Sequence, residues 1–361
     1  MSGKKIRLMI VDDSVFFREF LSRSLGVNPA IEVVGVAADA FEAEKRLEEL
    51  KPDVITLDME MPKMRGADFL RKILQKYPRS KVVVISAIPN NVFEALHAGA
   101  VDFVSKPNTR PGFDNAAFLK EVDEKIKIAN NSTHIPTAPQ PAAAPQQPGK
   151  SGVRTVTLTN LPPVLPSALK VTSKNIIAIG ASTGGTEAIL TVVRNLPENT
   201  PGIVVVQHMP PVFTNMYAER LNKICKMEVR EARDGDRVEQ GLILIAPGDC
   251  QMRLRSDFKG YYVHCGGTEK VSGHCPSVDA LFESVSTIAG ANAMGVILTG
   301  MGADGAKGLL AMKKAGAHTF GQNQETCVVY GMPMVAFNIG AVSEQLPLTA
   351  IADTMLRRLT K

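Results

Sequence analysis

No C-x-x-C pair occurs among the five cysteines, Cys225, Cys250, Cys265, Cys275 and Cys327; their number is odd and all lie in the C-terminal half. That pattern argues against a disulfide framework or a thiolate zinc site and fits reduced thiols. Long apolar runs are missing too: none approaches the roughly 20 residues that span a bilayer. The run Ile6-Arg7-Leu8-Met9-Ile10-Val11 is short and is stopped by Asp12 and Asp13, so it is not a secretory leader. Charge of one sign is scarce, since 41 basic against 36 acidic residues leaves +5. Over such a length this excess points neither to nucleic acid nor to a membrane surface. The expectation is a cytoplasmic protein without membrane insertion. What is present is ordinary globular material, 45% apolar and 21% charged in 361 residues, enough for two domains with their own cores.

Residues 4–107 alternate short Val/Ile-rich runs with segments of helical periodicity. The runs are Arg7–Val11, Ile31–Val36, Val54–Leu57, Val82–Ile85 and Phe103–Val104. They are nearly continuous, as strands buried on both faces must be. Five β units alternating with helices predict a parallel, flavodoxin-like sheet. A last helix is expected from Asp114, with Phe118, Val122 and Ile126 on one stripe. Texture changes near Asn130, and the Pro/Ala/Gln-rich stretch Pro136–Gly149 cannot bury a core. The expected domains are therefore 4–125, a linker over 126–172, and 173–361. The last part has runs at Asn175–Ile179, Gly202–Gln207, Leu242–Ala246, Tyr261–His264 and Ala293–Thr299. It reads as a doubly wound, mostly parallel α/β domain with an antiparallel hairpin.

In the first domain, Asp12 and Asp13 follow the first strand, Asp58 the third, Ser86 the fourth and Lys106-Pro107 the fifth. The carboxyl ends of parallel strands share one edge, where ligands bind. Clustered carboxylates raise one another's pKa unless a cation compensates them, and a hard ion such as Mg2+ meets that need. Asp58, with Lys106 and such an ion, suits acceptance of a phosphoryl group, and Ser86 suits a hydrogen bond to it. Any one of these acids alone reads equally well as a helix cap. The set, with Leu57-Asp58-Met59-Glu60-Met61-Pro62, resembles the receiver domain of two-component response regulators over about residues 4–125. The resemblance implies Asp58 as phosphoacceptor, Asp12, Asp13, Asp58 and the Glu60 carbonyl around the metal, and Ser86 and Lys106 as switch residues. Arg65 departs from the family, which often carries Asp there.

In the second domain, Gly180-Ala181-Ser182-Thr183-Gly184 matches G-x-S-x-G, a serine on a tight strand-to-helix turn. His208 ends the strand Ile203–Gln207, and Asp304 follows the strand at 293–299. A hydroxyl, an imidazole and a carboxylate past three strand ends are what a nucleophile, its base and an orienting acid require. Taken singly, Ser182 reads equally well as a phosphate-binding turn and His208 as a packed histidine. Gly300-Met301-Gly302-Ala303-Asp304-Gly305 also satisfies G-x-G-x-x-G, with Glu325 about twenty residues on, as a nicotinamide-dependent oxidoreductase would have it. The remaining histidines, His97, His134, His264, His274 and His318, show no metal spacing and read as structural.

The segments Ile179–Ala188, Val206–Pro211 and Ile297–Gly305, with Asp234-Gly235-Asp236, Pro276-Ser277-Val278-Asp279 and Tyr330-Gly331-Met332-Pro333, resemble the bacterial chemotaxis protein-glutamate methylesterase/glutaminase family. The resemblance covers nearly all of residues 175–350. It implies Ser182 as nucleophile, His208 as general base, Asp304 as its orienting carboxylate, and Thr183 and Met301 beside the reacting carbonyl. It further implies phosphorylation-regulated hydrolysis of glutamate γ-methyl esters and deamidation of glutamines, with methylated chemoreceptors as substrate and a chemotaxis histidine kinase as phosphodonor. No cofactor is expected at the catalytic site. Cys275 stands where many members have Arg before the proline. A transcriptional regulator would instead need a small basic helix-turn-helix behind the receiver, and a large, nearly neutral α/β domain stands there.

Overall fold

The computed structural model describes residues 4–107, 114–132 and 174–360. The expected linker lies outside the described residues from 133 onward.

The first unit runs β1 (Ile6–Val11), α1 (Val15–Gly26), β2 (Ile31–Ala37), α2 (Ala40–Leu50), β3 (Val54–Asp58), α3 (Gly66–Lys76), β4 (Lys81–Ser86), α4 (Pro89–Ala98), β5 (Asp102–Ser105) and α5 (Asn115–Asn131). All pairings are parallel and the order is β2-β1-β3-β4-β5. Helices start where the sequence offers a cap. The Ser14 hydroxyl accepts from Phe17 N at 3.3 Å, and Asp39 accepts from Phe41 N and Glu42 N at 3.0 and 2.9 Å. Pro89 opens α4, and Gly99 at φ 114° ends it. α5 continues to Asn131, past the boundary at 125/126 expected from the sequence. Its buried stripe extends through Ile128 and Ala129, which carry the packing beyond Ile126.

The second unit runs β6 (Ile176–Ala181), α6 (Gly185–Val193), β7 (Gly202–Gln207), α7 (Phe213–Asn222), β8 (Glu228–Glu231), β9 (Leu242–Ile245), β10 (Met252–Asp257), β11 (Gly260–Cys265), α8 (Val278–Ile288), β12 (Ala293–Ile297), α9 (Ala306–Lys314), β13 (His318–Gln322), α10 (Met332–Asn338), β14 (Glu344–Leu346) and α11 (Leu348–Leu359). Its seven-stranded sheet is parallel throughout, in the order β14-β13-β12-β6-β7-β9-β8. β10 and β11 form a separate antiparallel hairpin. β6 and β7 are buried at every position, which is why they read as unbroken apolar runs. From β6 the chain goes to β7 on one side, and it later returns through β12 on the other. The crevice between β6 and β12 is thus the switch point where ligands bind in such sheets.

The two units touch. Phe93 of α4 stacks on Tyr217 of α7 at 5.7 Å between centroids, and Phe103 of β5 on Phe213 at 4.9 Å. His97 Nδ1 lies 3.0 Å from Glu187 of α6, whose other oxygen takes Arg220 at 2.9 Å. Among the described residues no helix is long and apolar enough to cross a membrane.

Candidate functional sites

At the receiver edge, the structure brings Asp12, Asp13 and Asp58 together, with one oxygen of each within 4.8 Å of the others. Asp12 and Asp58 are buried and Asp13 is exposed. Lys106 Nζ bridges Asp12 Oδ2 at 2.8 Å and Asp58 Oδ2 at 2.9 Å. Burial, reinforced by the Asp58 charge, raises the Asp12 pKa against the pull of Lys106. Burial alone would lower the Lys106 pKa, but the two carboxylates outweigh it and the net shift is upward. Glu60 N donates to Asp58 Oδ1 at 3.1 Å. Ser86 is turned away from Asp58: its hydroxyl donates to Glu60 Oε1 at 3.1 Å and accepts from Ile88 N at 3.1 Å. A pocket with three carboxylates and a solvent-facing member suits an oxygen-preferring divalent ion.

At the catalytic edge, Ser182 follows β6, His208 follows β7, and Asp304 lies in the loop from β12 to α9. Ala181 pairs with Gln207, so Ser182 and His208 leave neighbouring strand ends together, and His208 N donates to Ala181 O at 3.2 Å. The serine turn is pinned on both sides. Ser182 N donates to Thr299 O at 3.0 Å, and Gln207 Nε2 donates to Ser182 O at 2.9 Å. Gly184, at φ 75°, turns the chain into α6. Ser182, His208, Met301 and Gly302 line a cleft of about 790 Å³.

Asp304 is buried and accepts from four donors: His208 Nε2 at 2.8 Å, Ser277 Oγ at 2.8 Å, Val278 N at 2.8 Å and Asp279 N at 2.9 Å. The last two are free N–H groups of the first turn of α8, so the helix start stabilises the anion. Burial alone would raise the Asp304 pKa, but the His208 bond and these backbone donors hold it below the usual carboxylate range. Burial is the largest influence on His208 and pulls its pKa down. The bond to Asp304 opposes this, while His274 and the more distant Lys125 push with burial. Because Nε2–H donates to an ionised carboxylate, Nδ1 carries the lone pair, and Nδ1 is buried with no hydrogen-bond partner. Ser182 Oγ makes no hydrogen bond to any described residue, so the serine–imidazole bond expected from the sequence is not formed in this state. Such bonds often tighten only around substrate.

His274, read from the sequence as structural, packs directly against His208. Its ring stacks on His208 at 3.8 Å between centroids and 4° between planes. It is held by Ser272 O, 3.0 Å from Nδ1, and by buried Gln251, whose Nε2 donates to His274 O at 3.0 Å. The available signal was its place two residues before Pro276-Ser277, the segment that builds the Asp304 socket. The three groups His208, His274 and Asp304 offer ligand atoms within 4.8 Å of one another. Parallel rings, however, hold their in-plane lone pairs in two separate parallel planes, whereas a metal needs them to converge on one point. The G-x-G-x-x-G loop is likewise explained by internal packing. A Cβ on Gly300 would meet Met332 Sδ at 2.3 Å and Ser182 Cβ at 2.7 Å, so this glycine admits the protein's own serine turn.

The receiver reaches this edge directly. Asp102, buried at the start of β5, accepts the hydroxyl of Thr183 through Oδ2, the same oxygen that takes Lys125 Nζ at 2.6 Å. Leu96, Phe103 and Ile128 help to line the cleft.

Fold and edges together define a class: a receiver packed against a doubly wound, parallel α/β domain that carries a serine, a histidine and an aspartate at its carboxyl edge. The family model described as CheB methylesterase matches residues 177–355, and that of the response regulator receiver domain matches residues 8–117. The chain is 49% identical over 362 aligned residues, 100% of each chain, to protein-glutamate methylesterase/protein-glutamine glutaminase 2 of Syntrophomonas wolfei. It is 42% identical to the Salmonella typhimurium protein-glutamate methylesterase/protein-glutamine glutaminase, over 99% of this chain and 97% of that one. The crystal structure of the Thermotoga maritima CheB methylesterase catalytic domain, 37% identical, covers 51% of this chain and 98% of its own, with a TM-score of 0.50. The chain belongs to the CheB methylesterase family.

Proposed function

We propose that this chain hydrolyses glutamate γ-methyl esters and deamidates glutamines on chemoreceptors, in the cytoplasm, with its receiver governing the rate. Ser182 Oγ attacks the δ-carbon of the side chain while His208 Nδ1 takes the hydroxyl proton. The tetrahedral oxyanion forms between Thr183 and Met301. It collapses to an acyl-serine as the leaving group takes the proton from His208 and departs as methanol, or as ammonia from an amide. Water then adds to the acyl carbon, His208 again accepts a proton, and glutamate leaves. Asp304 stays ionised, fixes the tautomer and stabilises the imidazolium formed in each half-reaction. The observation that carries this reading is the His208–Asp304 pair, whose outer nitrogen is committed and whose inner nitrogen is buried and free beside the serine-bearing strand end.

In the receiver, Asp58 accepts a phosphoryl group from a chemotaxis histidine kinase. Asp12, Asp13, Asp58 and the Glu60 main-chain carbonyl would hold Mg2+, which supplies charge neutralisation at the phosphoryl oxygens. Lys106 turns from its two carboxylates to the phosphate, and Ser86 leaves Glu60 to bond it. The docked receiver restrains Thr183 and narrows the cleft, and phosphorylation loosens it. The test is methanol release from methylated receptor membranes with and without acetyl phosphate. Wild type should accelerate with the phosphodonor. Ser182→Ala should stay folded and lose at least 10³-fold in rate, and turnover by that variant at the wild-type rate would rule the mechanism out.

A further inference from the structure

β7 is aliphatic from Ile203 to Val206 and then ends on a buried amide, Gln207, which is 4% exposed. A polar side chain in such a place costs free energy unless its hydrogen bonds are made. Half of this one makes none: Gln207 Oε1 is shielded from solvent and has no hydrogen-bond partner among the described residues. The other half is engaged twice, since Nε2 donates to Ser182 O at 2.9 Å and to His208 O at 3.2 Å. Turning the amide over would set its oxygen against two carbonyl oxygens, so chemistry fixes the orientation. Ser182 O already accepts from Gly185 N at 2.7 Å, so what the amide adds at this turn is a tie to His208. The surroundings are shaped to admit it. A Cβ on Gly185 would stand 2.1 Å from Gln207 Oε1, so the glycine at the head of α6 leaves the space that the amide fills.

We propose that Gln207 is a positioning residue, whose amide clamps the main chains of Ser182 and His208 at one separation so that hydroxyl and imidazole meet in working geometry. The proposal rests on the reading of these two residues as nucleophile and base. Both stand past strand ends, where the sheet ladder no longer fixes the chain, and one side chain reaches both carbonyls. Packing does not account for an amide here. An unbranched apolar side chain of similar length would fill the space without stranding an acceptor in the interior.

The experiment uses full-length chain with acetyl phosphate, methylated receptor membranes as substrate and a fluorophosphonate as a probe of Ser182. Gln207→Met keeps the length and removes the donors. It should lower kcat about 10²-fold and leave KM within about twofold. Gln207→Glu, whose carboxylate offers only acceptors to the two carbonyls, should lose at least as much. Labelling separates alignment from folding, because its endpoint counts intact sites and its rate reports activation of the hydroxyl. Gln207→Met should reach the wild-type endpoint about 10²-fold more slowly. A reduced endpoint reached at the wild-type rate would make Gln207 a packing residue and overturn the proposal, as would a loss carried by KM. In a His208→Ala background the same substitution should slow labelling by less than about threefold, since the clamp then has no base to align. A full further loss in that background overturns the proposal too. Wild-type turnover by Ser182→Ala would sink the catalytic reading itself, whereas an inactive Ser182→Ala beside a Gln207→Met of wild-type kcat sinks the clamp alone.

Discussion

Both domains place their polar residues at the carboxyl edge of a parallel sheet, yet the two edges handle charge in opposite ways. The receiver edge gathers three carboxylates against one ammonium, leaving negative charge that only a further cation can balance. The catalytic edge holds one carboxylate, saturated by four donors, and an imidazole kept neutral by burial. Surplus charge suits capture of a metal and a phosphoryl group. A single buried negative charge, met by four protein donors, suits a base that becomes cationic only during reaction. The same architecture thus suits cation binding at one edge and proton transfer at the other, according to how many donors meet each acid.

The sharpest way to break this contrast is Asp304→Asn. It keeps the shape of the α8 socket but removes the charge and the tautomer control on His208. Turnover of methylated receptor should fall by about 10³-fold or more, and a loss under tenfold would mean that the carboxylate is not what tunes the base. A smaller effect is expected from cutting the bridge between the edges. Asp102→Ala frees the Thr183 hydroxyl, and unphosphorylated turnover should rise about ten- to a hundredfold, the range of about 1.5–3 kcal/mol for one hydrogen bond to a charged group. Unchanged basal turnover would show that bulk coverage alone restrains the site. The smallest effect is in the pH profile. His208 must be neutral to accept a proton, and burial holds its pKa below the ordinary imidazole value of about 6.5. Activity should therefore persist as pH falls through 6.5 and drop only in more acid solution. His274→Ala removes one of the influences that lower it, so the acid limb of kcat/KM should move up toward neutrality, with a several-fold loss in kcat from the freed ring. An acid limb that stays in place would make His274 a packing residue only.

The readable parts of the molecule were those with strong periodicity. Ser182 and His208 follow, and Asp58 ends, strands buried on both faces, whose Val/Ile runs announce them, and position at a strand end suffices to predict convergence. β8 and β14 were not read because they are edge strands of four and three residues, too short to show alternation, and β10 (Met252–Asp257) and β13 (His318–Gln322) because they hold too few large apolar residues to form a run. His274 escaped because it sits in an irregular loop between a hairpin and a helix. Its location is set by Gln251, twenty-three residues earlier, through a hydrogen bond that no local pattern encodes. The Asp102–Thr183 contact depends on how two separately folding sheets dock, and so on tertiary packing that neither sequence segment contains. The missing Ser182–His208 bond is a matter of rotamer and state, which a one-dimensional pattern does not carry.

β5 is only four residues long, with Asp102 at its first position and Lys106 just beyond its last. At about 3.3 Å per residue the strand is a strut of roughly 13 Å. One end of that strut is gripped by Asp12 and Asp58 through Lys106, and the other by Thr183, next to Ser182. The two sites thus stand at the two tips of one short strand, and any tilt of that strand would reach both without a long relay through the core.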